Sequence, residues 1–374
     1  MAKGSKKEGG GIGELLAYAG DRKFLTYLGM ALSAFSQLLS FGPYVCIWLV
    51  ARDLIAVAPN WSEAADIAMY GWWAVGFALA SIVVYFVGLM CTHLSAFRCA
   101  SNIRKATSEH LLKLPLGYFD THATGELRRI VDGCAASTET LLAHMLPDIA
   151  GATAMVVGLL VLLFALDWRL GAACLISVVV SFCAMATMMS GKGAEFMKAY
   201  MGALVKMNKT GTEYVRGIPV VKVFQQTVYS FKAFHDAIAE YADMAQNYAG
   251  TFCRGPQVLN LTALNGLVAF LLPVALLLAP GETDFAHFMV NFTFYAIFSA
   301  VVPTAMTKLM FVGEASQMSA DSLARIRSVM DSKQLSVPAQ PKHPAGSDVR
   351  FEDVSFTYEG AEAPAVNHVS FSVS

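Results

Sequence analysis

The chain has 374 residues, of which 56% are hydrophobic and 15% are charged, and its mean hydropathy is +0.51. A composition this apolar is typical of membrane proteins and excludes an ordinary soluble domain. The net charge of −1 gives no basic field that would indicate a nucleic-acid partner. The seven cysteines include no C-x-x-C pair, so buried thiols are favoured over a metal site or a disulfide framework.

Six stretches are long and apolar enough to cross a bilayer, which takes roughly 20 residues per helix. These stretches are residues 24–50, 68–94, 145–166, 170–189, 258–278 and 285–310. Short links join most neighbouring spans, whereas residues 95–144 and 190–257 form two long joints. Apolar residues at helical spacing in both long joints predict that the spanning helices continue beyond the membrane and turn back there. The predicted fold is therefore an all-α polytopic membrane domain with six long helices and cytoplasmic extensions.

The basic residues decide the predicted orientation. Apart from Arg52 and Arg169, every Lys and Arg lies in the N-terminal segment, in a long joint, or from Lys308 onward. The positive-inside rule places those regions, and both termini, in the cytoplasm. The tryptophans, which lie near the opposite ends of the spans as an outer aromatic belt would, are Trp48, Trp61, Trp72, Trp73 and Trp168.

The sequence predicts four segments in chain order. We expect a cytoplasmic N-terminal segment (1–23), a six-helix transmembrane domain (24–315), a linker (316–347) and two short strands (348–374). The first strand is predicted by the alternating run that ends at Tyr358, and the second by the alternating run that ends at Val373. We interpret this last segment as the truncated β start of an α/β domain.

Each long joint contains residues that break helices. Pro115 and Gly117 stand in the first joint, and Gly217 and Pro219 stand in the second. They predict that the helix is interrupted at both places. We expect Tyr118 and Phe119 to be exposed at the first turn, which would indicate a docking surface. The alternative for both turns is an ordinary reversal packed on its own helix pair.

The order of these segments resembles the membrane half of an ABC transporter with the exporter-type (type IV) fold. Residues 114–127 are similar to the first intracellular turn of that family, and residues 217–224 are similar to the second. Residues 167–170 resemble its tight outer turn, and residues 349–358 resemble the first strand of its nucleotide-binding domain. The resemblance covers about residues 20–374 and rests on the order and spacing of these pieces together.

The resemblance implies a role for particular residues. Residues 116–121 and 216–224 would be two coupling helices, each docking on a nucleotide-binding domain, the second usually on the partner subunit. The implied coupling residues are Leu116, Gly117, Tyr118, Phe119, Asp120, Arg216, Gly217, Ile218, Pro219, Val220, Val221 and Lys222. Tyr358 would stack on the adenine of ATP, a role that suits a flat and rigid ring. The alternative for Tyr358 is a tyrosine that simply ends a strand.

ATP and Mg²⁺ are the cofactors that the resemblance implies. The sequence contains no G-x-x-x-x-G-K-[ST] loop, so no phosphate-binding or catalytic residue can be assigned in these 374 residues. We expect hydrolysis to be carried by a further part of the full-length protein. The implied function is ATP-driven transport by alternating access in the plasma or inner membrane. The chain would act as one half of a dimer, paired with a copy of itself or a related chain.

Polar residues within the spans are candidates for contacts with the cargo. His144, Asp148, Asn260 and Lys308 would line the lower part of a substrate cavity, or else they bond between helices and reach the headgroups. Residues 219–232 also resemble a subset of the family tied to iron–siderophore uptake, in which the exporter-type fold runs as an importer. The expected cargo is a small molecule, a lipid or a siderophore-like compound.

Two other classes of function are open to a six-span chain. A sensor or scaffold without cargo would be expected to carry a sustained coiled-coil repeat after the sixth span, whereas residues 316–335 suffice for one short helix. A channel would require a glycine-rich re-entrant filter, and the sequence shows none. The transporter is therefore favoured, with the sensor or scaffold as the alternative.

Overall fold

A computed structural model describes residues 11–223, 232–265, 267–336, 340, 346–358 and 361–374. The described residues form α-helices and one pair of strands. In chain order the helices are α1 Gly11–Ala17, α2 Lys23–Leu39, α3 Gly42–Val57, α4 Ile67–Leu111, α5 Leu116–Thr121, α6 Thr124–Arg128, α7 Ala135–Thr140, α8 Leu146–Ala165, α9 Trp168–Met189, α10 Lys192–Val223, α11 Lys232–Gln246, α12 Arg254–Asn265, α13 Leu267–Leu278, α14 Phe285–Phe298 and α15 Val301–Met330. The strands are β1 Val349–Phe356 and β2 Val366–Val373.

The helical membrane fold predicted from the sequence is confirmed. Five helical stretches in the described part of the chain are long and apolar enough to cross a membrane: Gly20–Val57, Ile67–Leu111, Thr124–Ala165, Trp168–Met188 and Phe285–Ala305. A sixth span results if Arg254–Asn265 and Phe270–Gly281, which are bent by 48° relative to each other, are counted as one. The protein is therefore a multi-pass membrane protein.

The spanning helices are longer than their apolar stretches. Helix α4 has 45 residues, which at 1.5 Å per residue makes it about 68 Å long, roughly twice the thickness of a hydrocarbon core. The third helical stretch begins at Thr124, before the apolar part that starts at residue 145, because α6, α7 and α8 are continuous through two π-helical segments, Arg129–Cys134 and Leu141–Met145. This agrees with the prediction that the spanning helices continue into the long joints. The apolar stretch ends where charged residues begin, whereas the helix continues past that point.

The chain divides into two compact units. The first contains the described residues of Met1–Ser33, Phe86–Ile149 and Phe311–Ser374. Its core joins α1 to the C-terminal half of α4, to the start of the third span and to the end of α15. Fully buried members of this core include Leu15, Cys99, Ile103, Leu142 and Ile326. The N-terminal segment, which the sequence analysis treated only as a cytoplasmic lead, thus contributes a helix to this core.

The second unit contains Ala34–Tyr85 and the described residues of Ala150–Met310. Its core is formed by α8, α9, α12, α13, α14 and the start of α15, and α3 packs against it. The buried Tyr295 hydroxyl donates to the Leu163 carbonyl at 2.6 Å and accepts the backbone N–H of Asp167. Asp167 caps α9 by accepting the backbone N–H of Arg169 at 2.9 Å. Burial would raise the pKa of Asp167, but its hydrogen bonds from Arg169 outweigh burial, so the pKa is lowered.

The two predicted strands form an antiparallel hairpin in which Val349 pairs with Val373. Phe351 stacks on Phe371 across the hairpin, with ring centroids 4.4 Å apart. All strand residues except the half-buried Val354 are exposed. The hairpin therefore buries little surface by itself, and cross-strand pairs such as these two rings supply its packing.

Candidate functional site

The first inner turn forms a short helix of its own. Helix α4 ends at Leu111, and α5 begins only at Leu116. Pro115 precedes α5 in an extended conformation with a ψ angle of 151°. Because proline has no N–H to donate and disfavours a helical residue before it, the helix stops here as predicted. Gly117 lies within α5 and does not break it.

Helix α5 presents apolar side chains to solvent. Its exposed residues are Leu116, Gly117, Phe119, Asp120 and Thr121. Leu116 is 85% exposed and Phe119 is 41% exposed. Tyr118, which the sequence analysis expected to be exposed, is half-buried because its ring stacks on His122 with centroids 4.0 Å apart. An exposed leucine and phenylalanine on one short helix are typical of a docking surface.

The second inner turn differs from the prediction. The sequence predicts that Gly217 and Pro219 interrupt the helix, but α10 continues through both residues and ends at Val223. Residues 216–223 are therefore the last turns of a long helix, and the predicted interruption at Gly217 and Pro219 is wrong. Residue 224, the last residue of the second predicted coupling helix, lies outside the described residues.

Packing against α11 explains why the proline does not end α10. A proline inside a helix costs about 3 kcal/mol, because one backbone hydrogen bond is lost and the ring crowds the preceding turn. The contacts that hold α10 against α11 are the stacked rings Tyr214 and Phe234, the hydroxyl pair Tyr200 and Tyr241, and the ion pair Lys206 and Glu240. The hydrogen bond between the two hydroxyls also raises the pKa of Tyr241. All three contacts lie on the N-terminal side of Pro219, where they hold α10 against α11.

The end of α10 is largely exposed. Among the implied coupling residues, Arg216, Pro219 and Lys222 are exposed, while Gly217 and Ile218 are half-buried. The neighbouring valines Val215 and Val223 are exposed as well. Val220 and Val221 belong to α10, and their side chains lie outside the described residues. The end of α10 therefore offers solvent a mixed surface of valines and basic residues.

Tyr358 follows β1 and is 58% exposed. Its ring meets the edge of Phe356 at a centroid distance of 5.0 Å, and its carbonyl accepts the N–H of Ala361 at 3.0 Å. An exposed, locally supported ring of this kind fits contact with a nucleobase. Because the sequence contains no phosphate loop, the residues of this chain fit the base of a nucleotide but not its phosphates or Mg²⁺.

The four polar residues predicted in the spans are divided between the two units. His144 and Asp148 belong to the first unit, and both are exposed. His144 lies in the π-helical segment Leu141–Met145, and its ring meets that of His93 edge-on at 4.7 Å. Segments of π-helix inside α-helices often occur at functional sites. The structure thus adds His93 to the polar residues that sequence reasoning selected around His144.

Asn260 belongs to the second unit and is only 4% exposed. Its side-chain oxygen accepts a hydrogen bond from the Ser181 hydroxyl on α9. This arrangement favours the interhelical role over the cavity role for Asn260. Lys308 belongs to α15, and its side chain lies outside the described residues.

Two features escaped the sequence analysis. The first is α1, which could have been found from the helical spacing of its apolar residues Ile12, Leu15 and Leu16. The second is a contact of His110 with Ser332 and Gln334, partners more than 220 residues away along the chain. No local pattern in the sequence signals such a distant contact.

Comparison with known proteins gives a family. The family model for the ABC transporter transmembrane region matches residues 26–302. The chain is 23% identical over 348 residues to the mycobactin import ATP-binding/permease protein IrtA of Mycolicibacterium smegmatis, covering 92% of this chain and 39% of that protein. It is 27% identical over 205 residues to the protein of the same name from Mycobacterium tuberculosis, covering 55% of this chain and 23% of that protein.

A second group of relatives has a different name. The chain is 22% identical over 320 residues to the ATP-dependent lipid A-core flippase of Photobacterium profundum, covering 83% of this chain and 52% of that protein. The chain therefore spans between about a quarter and a half of the length of these relatives.

The fold defines a polytopic helical membrane domain whose helices extend far past the apolar stretches, with a short exposed helix at the first inner turn. The family model covers well over half of the chain. The protein belongs to the family of ABC transporter transmembrane regions.

Proposed function

We propose that this chain is the membrane half of an ABC transporter subunit that moves a substrate across the membrane by alternating access. ATP would be hydrolysed by a further part of the full-length protein. The observation that carries the proposal is the family match over residues 26–302. The relatives' names, which combine ATP-binding with permease or flippase activity, support it.

In this proposal the inner turns transmit the motion of the nucleotide-binding domains. Helix α5 docks through Leu116 and Phe119, whose exposed apolar surface would be removed from water by such a contact. The end of α10, with Val215 and Val223 exposed, forms the second contact, on the partner subunit. Gly117, Tyr118 and Asp120 shape the first contact.

Tyr358 contacts the adenine of ATP in this proposal, with Mg²⁺ and the phosphates held outside these residues. Its exposure beside β1 supports that role. The hairpin of β1 and β2 then forms part of the nucleotide-binding domain, whose other elements cover the exposed rings Phe351 and Phe371.

The subunit works with a second half-transporter, either a copy of itself or a related chain. It lies in the plasma or inner membrane with both termini in the cytoplasm. The support for this orientation is the confinement of nearly all Lys and Arg residues to the termini and the two long joints.

The substrate we propose is an iron-loaded siderophore of the mycobactin type, moved inward. The support is the name shared by the first relatives and the resemblance of residues 219–232 to siderophore-related members. A lipid of the lipid A type is the second candidate, supported by the flippase relatives. His144 and Asp148, both exposed in the first unit, would contact the substrate, with Lys308 as a third residue.

The experiment is a measurement of ATP hydrolysis by the full-length protein in lipid vesicles with ferric mycobactin, iron-free mycobactin or lipid A added. We expect ATP hydrolysis that rises with ferric mycobactin more than with the other two. If ATP hydrolysis rose with lipid A alone, lipid A would take the place of ferric mycobactin as the proposed substrate. An absence of ATP hydrolysis would refute the proposed function. The Tyr358→Ala variant should bind ATP more weakly than Tyr358→Phe, which keeps the ring.

The substrate contact has its own test. A His144→Ala/Asp148→Ala variant should lose most of its transport, because two of the proposed contacts are removed. The matched control is Asn260→Ala, which removes a buried interhelical bond and should leave transport close to that of the wild type. Unchanged transport in the double variant, with normal folding, would end the assignment.

A further inference from the structure

The end of α4 carries a buried histidine that contacts the segment following α15. His110 is 9% exposed and lies one turn before the Pro115 break that separates α4 from α5. Its Nε2 lies 3.0 Å from the carbonyl oxygen of Ser332, and its Nδ1 lies 2.7 Å from the side-chain nitrogen of Gln334. Both ring nitrogens therefore have a partner on the same short segment.

The two contacts determine which ring nitrogen of His110 carries the hydrogen. A carbonyl oxygen can only accept, so Nε2 carries the hydrogen and donates to Ser332. Nδ1 then accepts a hydrogen from the Gln334 amide. A third bond joins the same two pieces of chain, from the Leu335 N–H to the Lys113 carbonyl at 2.8 Å. We call this set of three hydrogen bonds the linker clasp.

A second connection holds α4 and α15 together further along their lengths. The Cys99 thiol donates to the Leu15 carbonyl at 3.1 Å, and Asn102 donates to the Tyr18 carbonyl at 2.7 Å. At the other side of α1, Glu14 forms an ion pair with Arg327 of α15. Helix α1 thus lies against both long helices at once.

The linker clasp and the contacts through α1 lie at different positions along α4. Cys99 and His110 are separated by eleven residues, which is about 16 Å of helix. Two attachments at that spacing resist both sliding and rotation of α15 against α4, because either movement would break hydrogen bonds at both levels. Residues 332–335, which follow α15, are therefore fixed to the helix that leads to α5.

We propose that His110 is a positioning residue that holds residues 332–335, which follow α15, against the C-terminal end of α4, so that these residues and α5 move as one body throughout the transport cycle. This inference rests on the proposed function. It implies that motion of the nucleotide-binding domain reaches α4 by two routes, through docking on α5 and through the linker clasp. Loss of His110 would leave only the docking route.

Amide hydrogen exchange at Leu335 of the full-length protein tests the linker clasp. In the wild type we expect the same protection with and without ATP. In His110→Ala we expect exchange at least about tenfold faster, since the bonds that close this segment are weakened or lost. The matched control is Glu109→Ala, which changes an exposed neighbour and should leave the rate unchanged.

Two further variants make the test specific. Gln334→Ala removes the hydrogen bond between Gln334 and His110 from its exposed side. It should therefore speed exchange at Leu335 even if His110→Ala folds poorly. His110→Gln can donate and accept through its amide, so it should restore much of the protection. A merely space-filling histidine would give no such rescue.

Function provides the second measurement. Transport per ATP hydrolysed should fall several-fold in His110→Ala and recover in His110→Gln. Protection that is lost when ATP binds to the wild type, or exchange in His110→Ala equal to that of the wild type, would overturn the proposal. An absence of ATP hydrolysis by the wild type would instead refute the proposed function, and Leu335 exchange would still decide whether His110 closes the clasp.

Discussion

The two inner turns of this protein contain the same breaking residues and fold differently. In the first, Pro115 is extended and separates α4 from the short helix α5. In the second, Pro219 lies inside α10, which continues to Val223. The difference follows from what lies beside each proline, because α10 packs along α11, whereas the residues around Pro115 are exposed except for Leu114.

This comparison shows that a proline destabilises a helix by a limited amount. The packing of neighbouring residues decides whether the helix tolerates it. Rings stacked at Tyr214 and Phe234 hold the chain on the N-terminal side of Pro219. The first turn has instead one anchor, the buried Leu114, before the chain turns into α5. The first turn is thus a separate small element and the second a rigid helix end.

The largest effect is expected from a charge on the first turn. In Leu116→Asp, transport by the full-length protein should fall at least tenfold while ATP hydrolysis persists, because a carboxylate would have to lose its water to dock. Folding should be unchanged, since Leu116 is exposed. The control is Val205→Asp, which places the same charge at an exposed position of α10 outside both turns. Equal transport in both variants would remove α5 from the coupling path.

A smaller effect is expected from replacing the proline of the second turn. Pro219→Ala should stabilise the protein by about 1 to 3 kcal/mol, because α10 is already helical there and regains a backbone hydrogen bond. Thermal unfolding in detergent measures the gain. Pro115→Ala, outside a helix, should give no such gain. A loss of stability in Pro219→Ala would show that the chain bends at this residue.

The smallest effect is expected from the ring that supports the second turn. Phe234→Leu should lower stability by about 0.5 to 1.5 kcal/mol, the usual worth of an aromatic pair beyond its buried area. The neighbouring His235→Ala changes an exposed residue and should have little effect on unfolding. If both variants unfold alike, the support for α10 lies elsewhere along the hairpin.

Much of the fold could be predicted from the sequence, because hydropathy and charge act locally. The spans and the two strands were found in this way, as was the break at Pro115. The continuation of α10 through Pro219 could not be predicted, since it depends on rings from another helix. The start of the third helical stretch at Thr124, before its apolar part, agrees with the prediction that the spanning helices extend past their apolar stretches.

The candidate site was less predictable than the fold. The exposure of Leu116 follows from its place at the start of a short helix, but the stacking of Tyr118 on His122 depends on the turn closing in space. The bond between Ser181 and Asn260 likewise joins helices that are distant along the chain. Roles that depend on contacts between distant residues have no local pattern to indicate them.

The most direct test of the central claim is whether ATP moves the outer ends of the spans through the first inner turn. Spin labels at the exposed Glu63 of both subunits would report that distance in the full-length protein in vesicles. We predict that ATP shifts the distance in the wild type, and that Leu116→Asp binds ATP without the shift. An identical shift in both proteins, or no shift in an ATP-bound wild type, would contradict the account.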